Sequence, residues 1–229
     1  MHVIEQQRAH RILVLNAKGG CGKTTIATNL ACQYASENHQ TALIDYDPQA
    51  SSTQWLDSRP KGLPTIHCIT AGHKSGLTTR TWQLRVPVGT TRIIVDTPAR
   101  LDAMTAARLI RESDTILIPV LASPIDIRAA TQFLAELTKY PEYRNSNKRI
   151  AVVGNRVRKN TKSYIQLQSF LNELNIPFIS SLRDTQNYVR AAEEGVGVQE
   201  LKLKSAQPDC AQWYSLVRWI EGEREAEIA

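Results

Sequence analysis

The chain has 229 residues, 42% hydrophobic and 22% charged, the balance of an ordinary globular protein with room for one large α/β domain. No run approaches the roughly 18 apolar residues of a membrane span, and the opening MHVIEQQRAH lacks the apolar core of a secretion signal. Four widely spaced cysteines (Cys21, Cys32, Cys68, Cys210) argue against a zinc or iron–sulfur site and fit a reducing cytoplasm, while a net charge of +6 and a pI near 9.2 suit either an anionic partner or a solvated, solubilising face.

In chain order, the apolar run Ile12 to Leu15 predicts a buried strand, and Thr24 to Tyr34 carries helical spacing of its apolar residues. Between them lies a glycine-rich turn, so strand, glycine loop and helix follow one another as a phosphate-binding loop requires. Gly19, Gly20 and Gly22 allow the backbone to curl so that successive N–H groups face an anion, and the helix start adds its positive dipole end. Lys23 can reach the β- and γ-phosphates, and the Thr24 hydroxyl suits Mg²⁺. The motif G-x-x-x-x-G-K-[ST] is met except at its first glycine, where Ala17 stands, and a second lysine, Lys18, precedes the glycine pair. The stretch Lys18-Gly19-Gly20-Cys21-Gly22-Lys23-Thr24-Thr25 resembles the deviant Walker A box of the ParA/MinD group of P-loop ATPases. That resemblance implies an ATP site over residues 18–25, with Lys18 crossing to the ATP of a partner in a face-to-face dimer.

Gln40 to Asp45 reads as the next strand, closed by Asp45-Tyr46-Asp47-Pro48-Gln49. Two carboxylates there could position Mg²⁺ or a water for attack on a γ-phosphate, and an Asp-Pro turn alone would look the same. The stretch resembles the family's A′ motif, which implies that Asp47 orients the attacking water and Asp45 supports the Mg²⁺ shell. Pro60 to Pro64 marks a turn, Thr65 to Ile69 a short strand, and residues 71–90 stay unassigned. Arg92 to Asp96 is a buried strand ending in an acid. It resembles a Walker B strand, in which Asp96 would hold Mg²⁺ through a water and Thr97-Pro98 would sense the γ-phosphate. Arg100 departs from the small or apolar residues usual there.

A helix is expected over Ala103 to Ser113, a strand over Thr115 to Val120, a helix over Asp126 to Thr138 and a strand over Arg149 to Asn155. Between Lys139 and Lys162 stand eight Lys or Arg residues against Glu142 alone. Asn155 and Arg156 resemble the segment that contacts adenine in ParA-like proteins, since an amide offers a purine edge both donor and acceptor. A helix over Ser163 to Leu174, a strand over Pro177 to Ser180, and helices from Asn187 and Asp209 complete the pattern. Ser181 to Asp184 and Ala191 to Gly195 resemble the loop and helix that flank the base. Trp213, Leu216, Val217 and Ile220 keep helical spacing and read as a stripe packed on the core. After them the chain turns acidic through Glu221, Glu223, Glu225 and Glu227.

Strands alternating with helices predict a three-layer P-loop NTPase: a mostly parallel central sheet with helices on both faces, one domain over 1–229. Ligands in such sheets bind at the carboxyl ends of the strands, where every motif above falls. Within the group, iron proteins need cluster cysteines that this chain lacks, and MinD-like members end in a basic amphipathic membrane helix, unlike this acidic end. With about ten residues before the first strand, the chain resembles a short ParA without a DNA reader of its own. The resemblance implies slow ATP hydrolysis, an ATP-bound homodimer on nonspecific DNA in the cytoplasm at the nucleoid, no membrane, and a cargo-linked partner that stimulates hydrolysis. Arg158, Lys159, Lys162, Arg190 and Lys202 are the candidate DNA contacts. Two other classes compete: a biosynthetic ligase of the dethiobiotin-synthetase type, opposed by Lys18 and the Asp-Pro-Gln motif, and a non-hydrolysing adaptor, opposed by Lys23 and Asp47.

Overall fold

A computed structural model describes residues 8–71, 85–144, 147–173 and 177–223. Most of the unassigned stretch (72–84), the end of the expected helix at Leu174 and the acidic residues 224–229 lie outside the described residues. Seven strands, β1 (His10–Val14), β2 (Thr41–Asp45), β3 (Ile66–Thr70), β4 (Arg92–Asp96), β5 (Thr115–Leu121), β6 (Arg149–Val157) and β7 (Phe178–Arg183), form one sheet in the order β3-β2-β4-β1-β5-β6-β7. Every pairing is parallel. The helices are α1 (Lys23–Ser36), α2 (Ser51–Asp57), α3 (Ala103–Glu112), α4 (Pro124–Leu137), α5 (Pro141–Arg144), α6 (Lys162–Glu173), α7 (Asn187–Glu193) and α8 (Gln207–Ile220).

The strands read as continuous apolar runs because both faces of the sheet are covered. Alternate residues serve opposite cores. Ile12 and Val14 of β1 join Ile26, Leu30 and Tyr34 of α1 and Trp213, Leu216 and Ile220 of α8. Leu13 and Leu15 join Leu109 and Ile110 of α3, Leu134 of α4, and Leu167 and Leu171 of α6 on the other side. The stripe on α8 is therefore core, as its spacing predicts, and its apolar face is already spent.

Pro119 stands inside β5, a central strand, where a missing N–H normally breaks the ladder. Here the cost is avoided by position. Pairing of β5 to β1 ends at Val14–Leu117 and Leu15 N–H still reaches Leu117 O at 3.0 Å, so Pro119 falls where β1 has already left the sheet. The Asn16 side chain takes over and donates to Pro119 O at 2.7 Å. Two helices are absent from the sequence reading, α2 and α5, both too short for a helical period to show.

Register is what assembles the site. Val14, Asp96 and Asp45 are Cα partners across β1, β4 and β2. The phosphate loop, the A′ acid and the Walker B acid thus leave the sheet side by side.

Candidate nucleotide-binding site

The loop between β1 and α1 is shaped for an anion. Gly20 and Gly22 have φ of 75° and 93°, in the left-handed region that favours glycine. A Cβ at position 22 would also come within 2.0 Å of the Asn155 amide nitrogen, so that position admits glycine for two independent reasons. α1 begins with no side-chain cap and no acid in its first turn, and its first backbone bond from outside is Ile26 N–H to Gly22 O. Its leading N–H groups are left to a ligand. Lys23 is buried at the mouth of this cradle, its ammonium 3.2 Å from Lys18 O and 4.0 Å from the Cys21 sulfur. A buried cation with so few partners is suited to a phosphate.

Lys18 differs from Lys23 although five residues separate them. Its backbone N–H is fixed by Asn16 Oδ1 at 3.0 Å, and its half-buried side chain has no hydrogen-bond or ion-pair partner among the described residues. Asn16 thus spans from β5 to the loop and sets where Lys18 starts. The sequence reading gave Asn16 no role.

Behind the loop lies Asp96, fully buried at the end of β4. Burial raises its pKa to about 6, partly offset by hydrogen bonds from Ser52 and Thr24. Thr24 Oγ1 donates to Asp96 Oδ2 at 2.8 Å and Ser52 Oγ to the same oxygen at 2.6 Å. The other oxygen, Oδ1, is buried with no hydrogen-bond partner among the described residues. A hydroxyl and a carboxylate with an unengaged buried oxygen form the all-oxygen donor set that Mg²⁺ takes, directly or through its waters, so the residues present fit that ion. Thr97 Oγ1 donates to Val14 O at 2.8 Å and pins the segment after Asp96. A Cβ on Gly19 would lie 3.9 Å from the Ala99 Cβ, so this segment leans on the phosphate loop, with Arg100 exposed beside it.

Asp45 and Asp47 are placed differently. Asp45 is fully buried and turned into the protein: Oδ1 accepts Asp47 N–H at 3.0 Å, and Oδ2 accepts the Thr53 N–H and hydroxyl, both at 3.0 Å. Asp47 is half-exposed in the turn before α2, its Oδ1 accepting Gln49 N–H at 2.9 Å. Asn155, on β6, donates its amide to Cys21 O at 2.8 Å and accepts the Arg156 N–H at 3.0 Å. It braces the phosphate loop from below, while Arg156 is exposed at φ 50°.

A cleft of about 320 Å³ opens beside the first turns of α1, lined by Thr25, Thr28, Gln54, Trp55, Tyr188 and Ala192 among others. Of the basic candidates, Arg158 pairs with Asp184 at 2.7 Å, and Lys159 and Lys162 are exposed close by in sequence. Arg190 on α7 and Lys202 beyond it are exposed on separate elements and are not drawn into that group by any contact among the described residues. Those residues also hold no cluster of three or more metal-ligating side chains, and all four cysteines are free thiols.

Residues 12–198 match the CobQ/CobB/MinD/ParA nucleotide binding domain. A curated relative, Maintenance of carboxysome distribution protein A of Halothiobacillus neapolitanus, is 32% identical over 196 residues, 85% of this chain and 88% of the relative. Among solved structures, a variant of Cyanothece McdA complexed with ATP matches with TM-score 0.69 at 18% identity, covering 95% of this chain and 98% of that one. A Borrelia burgdorferi protein described as a plasmid partition protein bound to AMPPNP matches with TM-score 0.71 at 17% identity, covering 95% and 100%.

Proposed function

The chain belongs to the CobQ/CobB/MinD/ParA nucleotide-binding family, and from that premise we propose that it is an ATP hydrolase that positions a cargo by cycling between an ATP-closed dimer and free monomers. The observation that carries this reading is Lys18. Lys23 already supplies the cation inside its own cradle, whereas the Lys18 side chain has no partner among the described residues. An ammonium placed there serves the γ-phosphate of a second copy. ADP offers it less charge, so ATP sets the dimer. Met104 and Ile125 support the same surface: both stand in the first turns of helices leaving the carboxyl edge of the sheet, 85% and 69% exposed.

Within the site, the loop N–H groups and Lys23 hold the phosphates, and Thr24 and Asp96 would hold Mg²⁺, which would supply neutralisation of phosphate charge. Asp47 orients the attacking water, and Asp45 supports the metal shell indirectly, by fixing Asp47 and the start of α2. Asn155 reaches the base only after leaving Cys21, so we assign it first to bracing the loop. The chain works as one ATPase unit, slow by itself and stimulated by a cargo-linked partner. Its dimer holds DNA without regard to sequence, at the nucleoid, through Lys159 and Lys162, with Arg158, Arg190 and Lys202 in lesser parts. The name of the Halothiobacillus relative favours a carboxysome-type protein assembly as cargo. A membrane-bound cycle is disfavoured, because the apolar face of α8 is buried and no described helix is long and apolar enough to cross a membrane.

The test is light scattering of wild type and Lys18→Ala with ATP and with ADP. Wild type should dimerise with ATP alone, and Lys18→Ala should bind ATP yet stay monomeric. Equal dimer in the variant rejects the trans role of Lys18.

A further inference from the structure

Resting on the nucleotide-site reading above, we propose that Ser52 is a positioning residue, setting the Asp96 carboxylate for the metal and tying α2 to it. Ser52 is fully buried, and its hydroxyl donates to Asp96 Oδ2 at 2.6 Å across 44 residues of sequence. The hydroxyl is not spent on the helix it sits in. Ala50, at φ 54°, occupies the position before the helix, and no side chain caps it. A fully buried serine that neither caps its helix nor bonds back to a preceding carbonyl has one evident task, the carboxylate it touches.

Chemistry explains why two hydroxyls meet one oxygen. Thr24 has a single hydrogen, given to Asp96, and two lone pairs left for a cation. Thr24 alone would orient the carboxylate with the very group that must also adjust to the ion. Ser52 holds the carboxylate from outside the loop, and with both donors on Oδ2 the unengaged oxygen is Oδ1. Outer partners of this kind set ligand orientation at metal sites.

The next residue makes the coupling. Thr53 gives both its N–H and its hydroxyl to Asp45, whose other oxygen holds Asp47 N–H. Consecutive residues in one helical turn therefore grip two carboxylates that lie in register on neighbouring strands. Just beyond the far end of α2, Arg59 makes two hydrogen bonds to Glu200, at 2.8 and 2.5 Å, with both side chains buried. α2 is thus held by side-chain bonds at its first turn and again just past its last. A change in the setting of Asp96 is passed through Ser52 to the first turn of α2, and from there to Asp47 and the wall of the cleft that carries Trp55.

The experiment compares full-length wild type, Ser52→Ala and Ser52→Thr. It measures affinity for a fluorescent non-hydrolysable ATP analogue in EDTA and across a Mg²⁺ titration. Trp55 emission, isolated by subtracting a Trp55→Phe variant, reports α2. Ser52→Ala should keep its EDTA affinity within about twofold, need about tenfold more Mg²⁺ for half-saturation, and lose most of the Mg²⁺-dependent Trp55 change. Ser52→Thr, which restores a hydroxyl, should recover both. An unchanged Mg²⁺ half-saturation in Ser52→Ala overturns the proposal. If Ser52→Ala melts too low to titrate, Ser52→Cys fills the space with only a weak donor and is judged by the same shift. Nucleotide binding by wild type with no Mg²⁺ dependence would instead reject the site reading, and the proposal with it.

Discussion

Both ends of this sheet carry charged and polar side chains, and the network around Glu221 at one end uses them differently from the phosphate loop at the other. At the amino end most charges close on one another, although Arg11 Nε is buried without a hydrogen-bond partner among the described residues. Glu221 accepts the Tyr34 hydroxyl at 2.7 Å and two Arg92 nitrogens at 3.1 and 2.7 Å, while the Arg92 guanidinium lies over the Tyr34 ring. Asp114 takes the Arg11 N–H at 2.8 Å, and Lys148 meets the carbonyls of Arg111 and Ser113. Around the phosphate loop at the carboxyl end valences stay open: among the described residues Asp96 Oδ1 is buried without a partner, α1 is uncapped, and Ala50 and Arg156 sit in left-handed backbone. A closed network stabilises the fold by itself, whereas an open one is a standing cost that a ligand removes. Breaking each end should therefore be felt in a different measurement.

The largest effect is expected from Lys23→Ala. Calorimetric titration should show ATP affinity falling at least a hundredfold, about 2.8 kcal/mol, because the cradle loses its buried cation. The melting temperature without nucleotide should hold or rise, since a buried ammonium with a carbonyl and a thiol for company is poorly compensated. A large loss of stability would mean that this end, too, is built for the fold.

Glu221 is the converse case. Glu221→Ala should cost about 1–3 kcal/mol in urea unfolding, because it strands the Tyr34 hydroxyl and Arg92 together, and should leave ATP affinity unchanged. The pH dependence carries a sign. Burial pushes the Glu221 carboxyl up, but the hydrogen bonds from Tyr34 and Arg92 and the Arg92 charge more than offset it, leaving the pKa below its ordinary value. Its contribution is therefore present above the ordinary glutamate pKa and lost as pH falls through the lowered one. Glu221→Gln should flatten that acid limb; a limb as steep as wild type would assign the loss to other carboxylates.

Legibility follows the same division between local and distant. Arg92–Asp96 and the stretch from Arg149 to Asn155 are readable because a strand buried on both faces is apolar along its middle. The phosphate loop is readable because its glycines, its lysines and the helix after it are neighbours in sequence. α2 is not: seven residues give no period, and what fixes its first turn are acids on two strands. Ser52 and Asn16 escape notice for the same reason, as Ser52 meets Asp96 only when β4 folds beside β2, and Asn16 meets Pro119 only when β5 folds beside β1. Asn155 was legible as a residue but not as a contact, since its partner Cys21 lies 134 positions away. β6 runs two residues past the expected Asn155 because β7 lies alongside with an irregular register that pairs Val157 with Arg183.

The smallest effect should sharpen the comparison most. Arg158 and Asp184 form an exposed ion pair at the carboxyl edge, with side chains 76% and 36% exposed. Such pairs contribute about 0–1 kcal/mol, so Asp184→Ala should leave unfolding nearly unchanged, in contrast to Glu221→Ala. Its consequence belongs to binding. Asp184 offsets the Arg158 charge, and removing it releases one cation beside Lys159. On random duplex DNA with ATP present, retention should then strengthen, and the plot of log affinity against log salt should steepen by about one phosphate contact for each copy. Arg158→Ala should weaken retention less than Lys159→Ala, because the arginine is already half neutralised. Retention indifferent to all three changes would place the DNA face elsewhere on the molecule. A stability loss as large as that of Glu221→Ala would erase the distinction between the two ends.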